Sequence, residues 1–261
     1  MKRLACTLLL MGVPLMAAAS YGQTPAPAAA PDTAAPDAAT AKRIAAMEVK
    51  LADWPQLGRY RDADAALAPA AAGEQRVVFY GDSITDGWGR KPGTESTFFP
   101  GKPYVNRGIS GQTTPQMVVR FRQDVINLHP AAVVILAGTN DIAGNTGPMT
   151  PEMTEDNFRS MADLAKANGI KVILASITPA FDYPWKRGME PALKIRALNA
   201  WLKDYCEQNS YTYLDYYTAL TDDQGGMKPG TSSDGVHPTA KGYAIMEPLA
   251  QAAIDKALSG Q

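Results

Sequence analysis

From residue 76 onward, short unbroken apolar runs alternate with segments whose apolar residues recur every three or four positions. Val77-Val78-Phe79-Tyr80 and residues 132–137 (AVVILA) are uninterrupted and rich in β-branched residues, as strands covered on both faces are. Residues 170–176, 211–214 and the short 104–106 read the same way. Helical spacing fills the gaps. Residues 113–128 set Met117, Val118, Phe121, Val125 and Leu128 along one face, and 154–168 stops at Gly169. Residues 191–209 and 239–258 give two more helices, the last with Pro248 inside its ladder. Strands alternating with helices predict right-handed crossovers and an α/β domain with a mainly parallel sheet. In such sheets ligands bind beyond the carboxyl ends of the strands, so the residues just after each strand are the functional candidates.

The first 75 residues follow another pattern. Lys2 and Arg3 precede an apolar run over 4–16, and Ala17-Ala18-Ala19 supplies a small-residue cleavage site, so residues 1–20 read as a signal peptide. The run is too short for a membrane span, and none is expected after cleavage. A periplasmic or secreted bacterial protein follows. Residues 21–40 are a Pro- and Ala-rich linker, semi-extended and unpacked. A short amphipathic helix over 41–54 carries Ile44, Met47 and Leu51 at helical spacing and opens a single domain, 41–261.

Composition narrows the chemistry. In 261 residues there are two Cys and two His, too few for a zinc cage or a disulfide scaffold. Cys6 leaves with the leader, and Cys206 remains as a small core residue on a helix. Losing Lys2 and Arg3 takes the net charge from −1 to −3, so nucleic acid is not an expected partner. The sequence carries no signal for oligomeric state.

Four segments after strands stand out. They are Gly81-Asp82-Ser83-Ile84, Asn106-Arg107-Gly108-Ile109-Ser110-Gly111, Gly138-Thr139-Asn140-Asp141 and, in a later loop, Asp234-Gly235-Val236-His237. Together and in this order they resemble the four sequence blocks of the SGNH hydrolases, also called GDSL esterases and lipases, with spacing similar to the platelet-activating-factor acetylhydrolase-like branch. The resemblance spans residues 76–254, with Ile84 standing where the name motif has Leu. It implies a flavodoxin-like, three-layer α/β/α sandwich around a five-stranded, mainly parallel sheet.

The residues support the same chemistry. A serine hydroxyl needs a base within hydrogen-bond reach. His237 is that base, because His129 stands before Pro130 at a helix end and reads as structural. Asp234, three residues before His237, fits one tight turn and holds the imidazole. The resemblance implies an oxyanion hole of the Ser83 N–H, the Gly108 N–H and the Asn140 amide. Asp82 and Asp141 are read as bracing their turns. No metal and no organic cofactor is required.

Trp88 follows the nucleophile turn, and the loop 178–190 carries Tyr183 and Trp185, so these three are candidate substrate contacts. No lid insertion is visible, which favours short acyl groups, acetyl above all, on a carbohydrate or another polar alcohol; the expected partner is thus a small-molecule or glycan ester. A lysophospholipase or thioesterase would use the same residues. Two readings of other classes are a glycan-binding pseudoenzyme and a metal-dependent phosphoesterase built on Asp82, Asn140 and His237. A histidine base implies that activity falls toward acid pH. A pH–rate profile on a simple ester tests this, and a flat acid limb would exclude His237 as the base.

Overall fold

A computed structural model of the chain describes residues 35–259. The expected signal peptide and all but the end of the linker lie outside the described residues. The described residues fall into two units, divided between Ala46 and Met47. Helix α1 (Ala38–Ala52) runs across this division and buries none of its residues; Ile44, Met47 and Leu51 are exposed.

In the second unit the elements follow as α2 (Arg61–Ala66), β1 (Val77–Gly81), α3 (Ser83–Asp86), β2 (Tyr104–Gly108) and α4 (Thr114–Asp124). Then come β3 (Ala132–Leu136), α5 (Thr139–Ala143), α6 (Pro151–Ala167), β4 (Lys171–Ala175), α7 (Pro191–Asn209), β5 (Thr212–Leu214), α8 (Tyr216–Leu220) and α9 (Ala240–Ser259). All strand pairs are parallel, in the order β2-β1-β3-β4-β5. The strand order reverses between β1 and β3, so a cleft opens beyond their carboxyl ends.

The apolar runs are unbroken because both sheet faces are covered. Val78, Tyr80, Val133 and Ile135 join a core with Met117 and Phe121 of α4, Phe158 and Met161 of α6 and Leu202 of α7. Val77, Phe79 and Val134 point the other way, into a core with Trp88 and with Tyr243, Met246 and Ile254 of α9. The result is a three-layer α/β/α sandwich. The short helices α2, α3, α5 and α8 carry too few residues to show a helical period.

One buried ion pair links these layers. Arg120 and Asp124 of α4 are both fully buried, with Nη1 2.9 Å from the carboxylate. They lie three and seven residues after Met117, on the apolar stripe itself. The guanidinium also donates to the carbonyls of Gly81 (3.0 Å) and Arg107 (2.9 Å) and to Gln112 Oε1 (2.5 Å). It lies over the Tyr80 ring at 4.1 Å. Arg120→Met leaves a buried carboxylate uncompensated and is expected to cost about 3–5 kcal/mol in urea denaturation. Adding Asp124→Leu is expected to restore most of that loss; no recovery would show that the backbone carbonyls, not the charge, set the cost.

Candidate active site

The first half of the site is a turn at the end of β1. Gly81 closes the strand, where a Cβ would collide with Thr85 and with the Leu136 carbonyl. Asp82 then caps α3, its carboxylate accepting from Ile84 N–H at 3.0 Å. This leaves Ser83 as the first residue of α3, half-buried, with its N–H bonded to nothing among the described residues. Tyr243 of α9 donates to the Ile84 carbonyl at 2.8 Å and fixes the turn from below.

The second half is a loop that folds on its own carboxylate. Asp234 Oδ1 accepts from the backbone N–H groups of Val236 (3.0 Å) and His237 (2.8 Å), and Gly235 takes the positive φ (84°) that the turn requires. The other oxygen, Oδ2, lies 2.6 Å from His237 Nδ1. Burial pushes the Asp234 carboxyl up, but the hydrogen bonds from His237 and Val236 outweigh it and hold it down at about 2. Val236 is buried and anchors the loop, while Ser232 Oγ donates to the His237 carbonyl at 2.8 Å. His237 Nε2 then sits 2.9 Å from Ser83 Oγ, across 154 residues of chain. Hydroxyl, imidazole and carboxylate thus stand in series at the carboxyl edge of the sheet.

Asn140, the second residue of α5, is buried. Its Nδ2 donates to the Gln112 carbonyl at 2.9 Å and lies 3.4 Å from Asp82 Oδ2; its Oδ1 accepts from Asn145 Nδ2 at 2.7 Å. Asp141 accepts from Thr114 N–H at 3.1 Å and from the Thr114 hydroxyl at 2.5 Å, tying α5 to the start of α4. Burial pushes Asp82 up to about 7 and Asp141 up to about 6.

Three expected roles need correction. Gly108 is not a free donor, because its N–H is taken by Asn106 Oδ1 at 2.9 Å. As the last residue of β2, paired with Gly81, it packs so tightly against α3 that a Cβ would strike the Asp86 backbone. Gly111 is the glycine that lies past the strand. It has positive φ (80°), nothing crowds its Cα, and its N–H is unbonded among the described residues. Ser110 on one side donates to Asp86 of α3, and the Gln112 carbonyl on the other meets Asn140. Trp88 cannot touch a substrate: it is 1% exposed, stacks on Tyr243 and donates to the Thr97 carbonyl. Tyr183 is fully buried as well and serves as the underside of Trp185, stacked at 5.0 Å. Trp185 is 43% exposed, with its ring 6.0 Å from that of His237.

A cavity of about 580 Å³ lies beside the end of α5, lined by Ile142, Met149, Met189 and Leu198 and by Lys186 and Lys194. Ser83 and His237 do not line it. Among the described residues no three His, Cys, Asp or Glu side chains group as metal ligands, and no helix is long and apolar enough to cross a membrane.

Fold and site together have the form of a serine hydrolase centre on a doubly wound parallel sheet. The family model of the GDSL-like lipases and acylhydrolases matches residues 79–245. A GDSL-like lipase of Bacteroides thetaiotaomicron is 48% identical, with TM-score 0.74 over 78% of this chain and 99% of that one. An acetylxylan esterase of Geobacillus stearothermophilus is 26% identical over 205 residues, 66% of this chain and 90% of its own length. A streptococcal structure described as a candidate platelet activating factor is 22% identical with TM-score 0.65 (83% of this chain, 99% of that one), a likeness of fold. The chain belongs to the GDSL-like lipase/acylhydrolase family, the SGNH hydrolases, and is a carboxylic ester hydrolase.

Between about pH 4 and pH 7 the folded chain holds a proton on Asp82 that the unfolded chain has released, so stability falls as pH rises through that window. Asp82→Asn keeps an acceptor for Ile84 N–H. Its stability relative to the parent is expected to be greater at about pH 8 than at about pH 4.5 in urea denaturation. An equal difference at both would mean that Asp82 is charged throughout.

Proposed function

We infer that this protein is a secreted serine esterase acting on short-chain acyl esters, acetyl above all, of carbohydrates or other polar alcohols. The observation that carries the mechanism is the series Ser83 Oγ–His237 Nε2 (2.9 Å) and His237 Nδ1–Asp234 (2.6 Å). His237 takes the Ser83 proton as the hydroxyl attacks the ester carbonyl. Asp234 stabilises the imidazolium that results. The N–H groups of Ser83 and Gly111 and the Asn140 amide receive the negative charge on the carbonyl oxygen. His237 then protonates the leaving alkoxide and, in the second half, takes a proton from the water that releases the acid.

The substrate class rests on two supports. Trp185 offers an exposed aromatic face beside His237, suited to stacking on a sugar ring. A relative that aligns over most of its length is an acetylxylan esterase. The apolar cavity beside α5 is the feature a second reading would use, in which a longer acyl chain reaches it from Ser83.

A fluorophosphonate is expected to label Ser83, and Ser83→Ala to lower kcat at least about 10³-fold. A p-nitrophenyl ester series from acetate to palmitate, run beside acetylated xylan, separates the two readings. Highest kcat/KM on acetate supports the first, and a rise toward long chains overturns it. Full turnover by the Ser83→Ala variant overturns both.

A further inference from the structure

The direction in which the Asn140 amide faces is set on its nitrogen side by the Gln112 carbonyl and on its oxygen side from outside the four sequence blocks. An amide places its oxygen and nitrogen almost symmetrically, so a half-turn of the side chain would aim the acceptor, not the donor, at the developing oxyanion. Burial alone does not choose between the two.

A chain of hydrogen bonds does. The Trp185 indole N–H is a donor and nothing else. It lies 3.3 Å from Asn145 Oδ1, which fixes the Asn145 amide with its nitrogen turned inward. That nitrogen donates to Asn140 Oδ1 at 2.7 Å. Asn140 Nδ2 is thereby left on the other side, facing the Gln112 carbonyl and Asp82. A flipped Asn140 would set its oxygen against the Gln112 carbonyl oxygen and its nitrogen against the Asn145 nitrogen. The indole itself is held by stacking on buried Tyr183 at 5.0 Å, and Asn145 by its backbone N–H, which donates to the Asn140 carbonyl at 3.0 Å.

We propose that Trp185 and Asn145 form a two-link relay that holds Asn140 with Nδ2 on the Gln112 side, one proton on that carbonyl and the second, held only by the long 3.4 Å contact to Asp82, available to the oxyanion, making both positioning residues for the esterase. This rests on the oxyanion role assigned to Asn140 above. It also gives the exposed indole a second use. A group seated on its face bears on the same ring whose edge orients the amide, so occupancy of the alcohol site and polarity of the oxyanion site are coupled.

The test is a double-mutant cycle with p-nitrophenyl acetate. Trp185→Phe keeps an aromatic ring on Tyr183 and removes the donor together with the rest of the pyrrole ring. Asn145→Asp still accepts from the indole but presents oxygen, not N–H, to Asn140 Oδ1. Each is expected to lower kcat about tenfold with KM within twofold and the melting temperature essentially unchanged. Asn140→Ala is expected to lose about 10²–10³ in kcat, and in that background neither further change should cost more than twofold. Losses that persist undiminished in the Asn140→Ala background, or unchanged kcat in both single variants, overturn the relay while leaving the esterase mechanism standing. Full activity of Asn140→Ala overturns the relay together with the oxyanion assignment beneath it.

Discussion

A single buried guanidinium ties the carboxyl ends of the paired strands β1 and β2 to α4. Arg120 donates to the last carbonyl regions of both strands and to Gln112, and Asp124 balances its charge. Few groups besides arginine could do this, because the rigid fork offers several donors at set angles without losing its charge. The effect passes outward through Gln112. Its side chain takes one Arg120 donor, and its backbone carbonyl receives Asn140 Nδ2. The serine turn, the loop carrying Gly111 and the amide after β3 are thus referred to one cation. A buried charge pair is seldom a strong source of stability by itself. Here its use lies in geometry, since it ties the ends of β1 and β2 to α4 beside the cleft at the reversal of strand order.

The carboxylates around the site are sorted by environment. Asp82 and Asp141 are buried near the Asn140 amide, and both are pushed well above the ordinary carboxylate range. Asp234 is partly exposed and pinned low by the N–H groups it accepts from. Negative charge therefore concentrates beside the imidazole, where it favours a cation, and is reduced where an oxyanion would form. Three residues of one type serve opposite electrical ends because burial and hydrogen bonding differ.

Much of the architecture was legible in the sequence. Strands covered on both faces must be unbroken apolar runs, and helices against a sheet must show a stripe, so both left strong periodic marks. The residues that meet at the site were legible as blocks following strands. What was not legible has specific causes. Gly108 and Gly111 differ only in whether the strand has ended, and a boundary uncertain by three residues exchanges their roles. Trp88 and Tyr183 sit in loop-like stretches beside the chemistry, yet their rings turn into the core, a choice made by tertiary packing. Arg120 and Asp124 did leave a signal, because charged residues three and seven positions after Met117 fall on the apolar stripe. Periodicity read from apolar residues alone passes over them.

The Asp234 carboxylate divides its labour, one oxygen closing the turn and the other holding the imidazole. Both tasks are completed within four consecutive residues, so the acid–base pair is prefabricated wherever that short loop forms. Aligning three side chains from distant parts of the chain then reduces to seating one preassembled clip against the serine turn. The entropy of ordering the pair is met locally, and only a rigid-body fit is left to the tertiary structure.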